Sequence, residues 1–518
     1  MSFAFFVKLL ILVLFFAVTI GVGLYARRHT TNVDGFVLGG RSVGPWLTAF
    51  AYGTSYFSAV IFIGYAGQFG WKYGIASTWV GIGNAIIGSM LAWVVLGRRT
   101  RIMTQHLNSS TMPQFFGARF QSDGLKILAS LVVFIFLIPY TASLYNGLSR
   151  LFAMAFAIDY TVCIIIMAVL TGIYVVAGGY MATAINDFIQ GIIMLFGIVA
   201  VIYSVIKTNG GFMATMDALA NVQDTTVSTT PGVFASFFGP DPLNLLGVVI
   251  LTSLGTWGLP QMVQKFYAIE SEAVIKKGAI ISTLFALIVA GGSYFHGGLG
   301  RLYSDVVDVE TAGYDAIVPT MLSTLSPLLI GLVVILVLSA SMSTLSSLVL
   351  ASSSTLTIDV IRKHVIKDMD EKRQVRYMRV LIVIFIVISV ILAIIQYKSS
   401  VTFIAQLMGI SWGALAGAFL APFLYGLYWK RVTKAACYVN IIFGAGIMVL
   451  NMTIRSAFPT LLQSPINCGA FAMLLGFVIV PVVSLLTKAP DESHVEDCFR
   501  CYQKTHMVKE KDYLESDN

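Results

Sequence analysis

Apolar stretches long enough to cross a lipid bilayer recur along almost the whole chain, and they restrict the folds that it can adopt. Of the 518 residues 57% are hydrophobic and 11% are charged, whereas roughly a quarter of the residues are charged in a typical soluble domain. Backbone groups inside lipid must pair within their own segment, so apolar stretches of this length are expected to be helices. The sequence therefore predicts an all-α polytopic membrane protein.

Thirteen transmembrane helices are predicted. Their approximate ranges are 3–25, 44–69, 75–97, 125–155, 160–179, 187–207, 243–267, 274–297, 317–358, 378–397, 401–428, 434–454 and 467–487. The first range is long enough to span and lacks the basic start and small-residue cleavage site of a secretory signal. We expect a single transmembrane transporter domain over residues 1–487, followed by a cytoplasmic tail over 488–518.

The basic residues are distributed unequally between the two sides of this layout. With the N-terminus outside, 26 lysines and arginines face the cytoplasm and 5 face outward. Cytoplasmic loops of membrane proteins carry such an excess. The pattern predicts a multi-pass protein of the cell (plasma or inner) membrane with its C-terminus in the cytoplasm. The net charge of +8 is then explained by topology, and no nucleic-acid partner is expected.

Several function classes have no matching motif. The chain has no GxxxxGK[ST] phosphate-binding loop, so ATP hydrolysis is not the expected energy source. No nucleophile–base arrangement or metal cluster is recognisable, and the pair Cys498 and Cys501 cannot by itself complete a zinc site. We therefore expect a transporter that is not an enzyme and uses no cofactor, apart from a coupling ion. A channel is less favoured, because no filter motif or ring of like charges is evident.

Two predicted spans are interrupted by residues that disfavour helix in their middle. Residues 53–58 of the second span read Gly-Thr-Ser-Tyr-Phe-Ser, and residues 255–260 of the seventh read Gly-Thr-Trp-Gly-Leu-Pro. The two interruptions lie five spans apart, which predicts a LeuT-type core of two inverted five-helix repeats over about 44–207 and 243–428. Secondary transporters often bind substrate at such broken helices. The alternative is that Gly and Pro are simply common in membrane helices.

The ninth span carries a dense hydroxyl cluster, Ser-Ala-Ser-Met-Ser-Thr-Leu-Ser-Ser, over residues 339–347. Helical spacing places Ala340, Ser343, Thr344 and Ser347 on one face. Hydroxyls and carbonyls freed at a helix break would suit a hard cation such as sodium, which should favour oxygen ligands as calcium and magnesium do. Alternatively, these hydroxyls bond back to their own helix. The residue pattern alone leaves both interpretations open.

Three motifs together resemble the sodium/solute symporter family, whose pantothenate and proline permeases are the most similar members. They lie at residues 36–42, 178–191 and 341–346, and the resemblance runs from about residue 10 to residue 485. It implies a sodium site made by the carbonyls of Thr54, Phe57 and Ala340 and the hydroxyls of Ser343 and Thr344. It also implies that Asp187 assists sodium exit, although a helix N-cap at the start of the sixth span is the alternative role for this residue.

The resemblance constrains the solute less closely. Sugar carriers of the family have glutamine at the position of Ile61, and proline carriers have aspartate at that of Tyr56. A small amphipathic solute of the pantothenate, proline or monocarboxylate kind is therefore expected, with sodium/sugar symport, proton coupling and a transporter-fold sensor or receptor as alternatives. The candidate solute contacts flank the breaks or lie in the fourth span: Tyr56, Ser58, Ala59, Tyr140, Asn146, Thr256 and Trp257. The expected partners are sodium, this solute and the lipid bilayer.

Overall fold

The regular elements of this chain are helices. A computed structural model describes residues 3–27, 32–156, 158–366, 369–399 and 404–515, and within these ranges a few side chains, including that of Tyr56, lie outside the description. The helices in chain order are α1 (Phe3–Ala26), α2 (Val33–Leu38), α3 (Pro45–Tyr56), α4 (Ala66–Tyr73), α5 (Thr78–Gly83), α6 (Arg98–His106), α7 (Met112–Arg119), α8 (Asp123–Phe156), α9 (Tyr160–Thr208), α10 (Phe212–Ala220), α11 (Pro242–Leu254), α12 (Pro260–Tyr267), α13 (Ala273–Gly298), α14 (Val309–Ala312), α15 (Ile317–Ser323), α16 (Pro327–Thr355), α17 (Glu371–Ser399), α18 (Ile404–Tyr428), α19 (Lys434–Thr453), α20 (Pro465–Leu486) and α21 (Glu492–Glu515). π-helical turns at Val60–Tyr65, Asn84–Leu91, Trp93–Gly97 and Leu356–Val365 extend four of these helical stretches.

Nine helices in the described part of the chain are long and apolar enough to cross a membrane, and a tenth is added if the bent pair α11–α12 counts as one span. This number is lower than the thirteen predicted spans for identifiable reasons. The stretch Val60–His106 joins the second and third predicted spans, and in the first and fifth predicted spans the residues described together with their side chains form only the shorter apolar helices Leu12–Ala26 and Tyr160–Ile173. The protein is thus an all-helical, multi-pass membrane protein.

The core is built around α16, in which every residue of 333–355 is buried. Helices α1, α8 and α9 pack against it, while α18 lies between α8, α19 and α20, and α13 packs against α3, α4 and α5. A helix that is hydrophobic on all sides belongs in such a buried position. The hydroxyl cluster of the ninth predicted span therefore lies in the centre of the protein.

Two of the predicted span boundaries are wrong. The ninth span does not run from 317 to 358, because α15 ends at Ser323 and α16 starts separately with Pro327 in its first turn, a position where proline is pre-organised for helix. The sixth span does not begin at 187, because the only non-helical residue in α9 is Gly179, with φ 54° and ψ −146°. A Cβ at Gly179 would lie 2.7 Å from the carbonyl oxygen of Phe36.

The tail after α20 is folded where its side chains are described. Within α21 the Nε2 of His494 lies 3.0 Å from the carbonyl oxygen of Ala118, and the Tyr502 hydroxyl donates to the carbonyl of Leu427 at 3.2 Å. Cys498 and Cys501 are buried. The helix is therefore packed against the ends of α7 and α18.

We predict that Gly70→Ala destabilises the fold. A Cβ at this position of α4 would lie 1.9 Å from the carbonyl oxygen of Gly297 in α13, so the two helices would have to separate. Overpacking of this kind costs about 1–3 kcal/mol and occasionally more. Thermal unfolding of the purified protein in detergent would show a lower midpoint. The matched control is Gly446→Ala in α19, where a Cβ meets nothing within 4 Å; equal midpoints for the two variants would contradict this packing.

Candidate functional site

The first helix break is located where the sequence predicted it. Helix α3 ends at Tyr56, and Phe57 has the extended conformation φ −88°, ψ 122° before the π-helical turn begins at Val60. A helix end leaves its last carbonyls without intrahelical partners. The Thr54 side chain is already engaged, because its hydroxyl donates to the Phe50 carbonyl at 2.8 Å. It is thus the backbone oxygens of this segment that are available to a partner.

These oxygens face Thr344 of α16. The Thr344 Oγ1 lies 3.3 Å from the carbonyl oxygen of Thr54, 3.1 Å from that of Phe57 and 3.1 Å from that of Ala340. A hydroxyl has one hydrogen and can fully satisfy one acceptor at a time. Four oxygens therefore converge at a buried point with a shortage of positive charge, an arrangement that suits a small hard cation.

Ser343, the fifth predicted ligand, directly precedes Thr344 on α16. Its side chain is 1% exposed, and its hydroxyl neighbours the Asp187 carboxylate of α9. The next polar contacts along α16 are also with the broken helix: the Ser341 hydroxyl accepts from the Ala59 amide at 3.2 Å, and the hydroxyls of Ser347 and Ser55 are 3.1 Å apart. The structure thus brings four of the five predicted residues, Thr54, Phe57, Ala340 and Thr344, to one interface between α3 and α16.

The second break has the same backbone conformation as the first. Residues Gly255–Gly258 form a 3-10 turn, and Leu259 follows with φ −85° and ψ 120°. Pro260 occupies the first turn of α12, and α12 is bent by 46° from the preceding helix. Both breaks therefore consist of one extended residue between two helical halves, as the paired Gly-containing motifs indicated.

Asp187 lies inside α9 rather than at its start, so the N-cap alternative is wrong. The helix resumes directly after Gly179, which places Asp187 about two turns further on. Its carboxylate is 0% exposed, and its Oδ2 is 3.6 Å from the Nζ of Lys265, which is 2% exposed. Sequence reasoning assigned Lys265 to the cytoplasmic loop charges and missed this pair. The available signal was a lysine in one apolar span together with an aspartate in another, because charged residues inside membrane spans usually pair with each other.

Three of the candidate solute residues meet beside the first break. Ser58, Ala59 and Tyr140 are all fully buried, and the Tyr140 hydroxyl neighbours the side chains of Ser58 and Trp412. The Tyr140 and Trp412 rings pack edge to face, with centroids 5.9 Å apart. Trp412, on α18, was missed because its approach to the break depends on helix packing that no local pattern reports.

The polar side-chain groups around Tyr140, beside the first break, are mainly groups that can donate hydrogen bonds. The hydroxyls of Tyr65 and Tyr140 and the indole Nε1 of Trp412 are buried, and among the described residues none of them meets a partner at full hydrogen-bond geometry. The Tyr65 hydroxyl also lies near that of Tyr140. Buried polar groups normally have partners, so such a cluster calls for an explanation, and a ligand with acceptor oxygens would provide one.

Thr256, Trp257 and Asn146, which are also candidate solute residues, make hydrogen bonds within the protein. Thr256 and Trp257 donate to carbonyls of the Asn84–Leu91 segment, at 3.2 Å to Gly88 and 2.9 Å to Ile87. The Asn146 side chain accepts a hydrogen bond from the Tyr160 hydroxyl. The structure does not describe the side chain of Tyr56. Thr256 and Trp257 thus hold the second break in place, and Asn146 ties α8 to α9.

A polar cavity of about 1020 Å³ lies at the far end of α4 from the first break. Its lining includes Gln68, Asp224, Asp241, Arg301 and Gln406. Arg301 donates to Asp224 at 2.6 Å and to the Trp71 carbonyl at 2.6 Å. The Thr226 hydroxyl and then the Arg301 guanidinium lower the pKa of the Asp224 carboxyl. The cavity is large enough to admit a small hydrated solute on this side.

Comparison with known sequences gives consistent relatives. The model of the family "Sodium:solute symporter family" matches residues 36–444. The osmoregulated proline transporter OpuE of Bacillus subtilis is 28% identical over 485 residues, covering 92% of this chain and 94% of that protein. The sodium/proline symporter of Staphylococcus aureus is 28% identical over 493 residues, covering 93% of each. The match therefore extends over nearly the whole length of these relatives.

Comparison with solved structures identifies the fold. The substrate-bound, outward-open Na⁺-coupled sialic acid symporter superposes with a TM-score of 0.73 at 16% sequence identity, covering 95% of this chain and 99% of that one. At this identity the likeness concerns the fold alone.

We predict that the double substitution Ser343→Ala with Thr344→Ala removes sodium stimulation of uptake. The change deletes the two predicted hydroxyl ligands and leaves the residues of the break unchanged in sequence. Losing one tenfold step in sodium affinity corresponds to about 1.4 kcal/mol, and at least that loss is expected when initial uptake rates are measured against sodium concentration.

The matched control is Ser352→Ala with Ser353→Ala on the same helix. Both hydroxyls are buried and bond to their own helix, at 3.3 Å to Val349 and 3.2 Å to Leu350. Sodium dependence that is equal in the two double variants, at equal amounts of protein in the membrane, would remove the site from this interface.

Proposed function

The chain belongs to the sodium:solute symporter family and is a multi-pass protein of the cell membrane that carries a small solute together with sodium; from this premise we propose where sodium binds and what kind of solute is carried. Sodium binds between the first break and α16, held by the carbonyls of Thr54, Phe57 and Ala340 and the hydroxyls of Ser343 and Thr344. The observation that carries this proposal is the convergence of three carbonyl oxygens on the Thr344 hydroxyl within 3.3 Å.

The proposed architecture is a thirteen-span, LeuT-type core in a single transporter domain over residues 1–487, with inverted repeats over about 44–207 and 243–428. The matched breaks support it, because Phe57 and Leu259 adopt φ and ψ values within a few degrees of each other. Both lie in the first broken helix of their repeat. The cytoplasmic tail over 488–518 then follows the last span.

The proposed orientation places the N-terminus outside and the C-terminus in the cytoplasm. The excess of lysines and arginines on the cytoplasmic side supports it. Lys265 is one of the 26 residues counted on that side, and the excess stays large when this buried lysine is left out. The polar cavity beyond α4 then opens to the outside, so solute and sodium arrive at the break from that side.

Labelling of single cysteines would test this orientation. Thr230→Cys should react with a membrane-impermeant maleimide in intact cells, and Lys372→Cys should react only after permeabilisation, since both positions are exposed in the structure. The five native cysteines are buried and supply a low background. The reverse pattern of labelling would invert the assignment.

The solute is proposed to be a small amphipathic monocarboxylate of the proline or pantothenate kind, bound beside Ser58, Ala59 and Tyr140. A carboxylate can only accept hydrogen bonds. The buried hydroxyls of Tyr65 and Tyr140 and the indole N–H of Trp412 meet no partner at full hydrogen-bond geometry among the described residues, so they are available to donate to it. The proline transporters among the relatives are consistent with this chemistry. A sugar presents many hydroxyls to satisfy, whereas Ile61 beside the break is buried and apolar.

Sodium and solute are then linked through the break itself. Sodium neutralises the surplus of carbonyl oxygens and holds residues 54–59 in the shape that receives the solute, and each ligand raises the affinity of the other by the same factor. One charge moving inward gains about 2.3 kcal/mol per 100 mV, and a tenfold sodium gradient adds about 1.4 kcal/mol. Rocking of the repeats then opens the cytoplasmic side, where Asp187 lies on the proposed exit route for sodium.

We expect proteoliposomes with an imposed sodium gradient to accumulate proline or pantothenate, and not glucose. Radiolabelled proline, pantothenate, lactate, sialic acid and glucose would be compared for initial uptake with sodium and with choline. The carboxyl group is the proposed recognition element, so the methyl ester of the accepted solute should fail to compete. Sodium-driven uptake of glucose without uptake of any carboxylate would contradict the solute class.

Tyr140→Phe should raise the KM for the accepted solute roughly tenfold or more, because a hydrogen bond to a charged group contributes about 1.5–3 kcal/mol. The matched control is Tyr145→Phe on the same helix, whose buried hydroxyl neighbours Thr171 instead. Equal KM values for the two variants, with sodium dependence preserved in both, would place the solute away from Tyr140 without affecting the sodium site.

A further inference from the structure

A groove on the outer surface of the protein runs between α9 and α17. Its volume is about 480 Å³, and the described residues that line it are all apolar. This volume is within the range of about 300–1,000 Å³ for sites that hold small organic ligands. Large lining side chains that are about half exposed are Ile165, Val169, Ile173, Val383, Val387 and Ile391. The groove is therefore open to the hydrocarbon of the membrane and suits an acyl chain.

The groove begins one helical turn after Arg379 of α17. Helical spacing places Arg376, Arg379, Val383 and Ile386 on one face of this helix. Along the helix axis Val383 lies about 6 Å beyond Arg379, and Ile391, at the other end of the groove, lies about 18 Å beyond it. One leaflet of the hydrocarbon core, half of the full thickness, is about 15 Å thick. The groove thus has the length of one layer of acyl chains, with arginines at one end.

A second helix brings another arginine to the same end of the groove. Arg27 follows α1, is exposed and is a near neighbour of Arg379. Close packing fixes this position, because a Cβ at Gly178 of α9 would lie 2.8 Å from the carbonyl oxygen of Gly23, one turn before Arg27. The Arg379 guanidinium lies over the ring of Phe36, 5.7 Å from its centroid. Guanidinium groups from two helices are therefore held together at the end of the groove.

This group of like charges is complementary to a phosphate. Arginine binds phosphate through strong, often bidentate hydrogen bonds, and basic pockets between transmembrane helices on the cytoplasmic side bind anionic lipid headgroups. Two carboxylates of the neighbouring segments are engaged elsewhere: Asp34 on α2 accepts from the Ser110 hydroxyl at 3.1 Å, and Asp370 before α17 pairs with Arg373 at 3.5 Å. A phosphate that arrives from the lipid would therefore supply negative charge where the arginines meet.

We propose that one anionic phospholipid of the cytoplasmic leaflet binds at this position, with its phosphate among Arg27, Arg376 and Arg379 and an acyl chain in the groove between α9 and α17. The choice of leaflet rests on the proposed orientation, whereas the site itself does not. A zwitterionic phospholipid binds less tightly, because it adds an ammonium group to a site that is already positive. The bound lipid joins α1, α9 and α17, which all pack against α16, and so supports the helix that carries the proposed sodium ligands.

The test is native mass spectrometry of the purified full-length protein, titrated with phosphatidylglycerol or phosphatidylcholine of the same palmitoyl and oleoyl chains. Wild type should bind one phosphatidylglycerol at least tenfold more tightly than phosphatidylcholine. Arg376→Gln with Arg379→Gln should weaken phosphatidylglycerol binding about tenfold or more. The matched control is Lys276→Gln with Lys277→Gln, which removes two charges at exposed positions of α13 and should bind as wild type does. Equal affinity of wild type for the two lipids, or wild-type affinity in the double arginine variant, would overturn the proposal.

Two further variants keep the test decisive if the half-buried Arg379 cannot be replaced without unfolding. Arg27→Gln with Arg376→Gln changes only exposed positions and should give the same loss. Gly172→Leu keeps all three arginines and fills the groove, since a Cβ there would already lie 3.5 Å from Ile386, and it should also weaken binding. Wild-type affinity for phosphatidylglycerol in either folded variant would contradict the proposal.

A headgroup without acyl chains separates a lipid site from a site for free phosphate. Glycerol 1-phosphate, added in the same titration, should not displace phosphatidylglycerol from wild type. Displacement would show that the arginines bind soluble phosphates without help from the groove, which contradicts the proposal. These measurements use neither a solute nor a membrane orientation, so they stand or fall separately from the proposed transport function.

Discussion

A helix that breaks inside a membrane exposes carbonyl oxygens where no bulk water can satisfy them, and much of this structure follows from that constraint. Each unsatisfied backbone group in such a place costs several kcal/mol. Here the oxygens of Thr54 and Phe57 turn toward α16, where the Thr344 hydroxyl lies within 3.3 Å of both. One hydroxyl hydrogen cannot satisfy all of these oxygens. The break is therefore stabilised by α16, and the cation that we propose there would satisfy the remaining oxygens.

The position of α16 explains why this arrangement is rigid. Because each residue of 333–355 is buried, its hydroxyl face is held from several sides by α8, α9 and α3. The second break is supported differently, since Thr256 and Trp257 bond to backbone carbonyls of a neighbouring span. The first break is thus held by side chains of α16, and the second by backbone carbonyls of a neighbouring span.

The parts of the fold that local sequence determines were predictable. Glycine and proline placed both breaks correctly, and the spacing of Ser343 and Thr344 identified the α16 face, because helix periodicity and backbone chemistry act within a few residues. The roles of Trp412 and Lys265 were missed, because each depends on contacts with residues far away in the sequence. Asp187 was given an N-cap alternative because the helix boundary was set seven residues too late, at 187 instead of directly after Gly179.

The most direct measurement is a pair of cryo-EM structures of the full chain, one in sodium and one in choline, at a resolution that shows bound ions. We expect a single density in sodium between the carbonyls of Thr54, Phe57 and Ala340 and the hydroxyl of Thr344, and its loss in choline together with a change in the conformation of residues 54–59. An unchanged break with no ion density there in sodium would contradict the account.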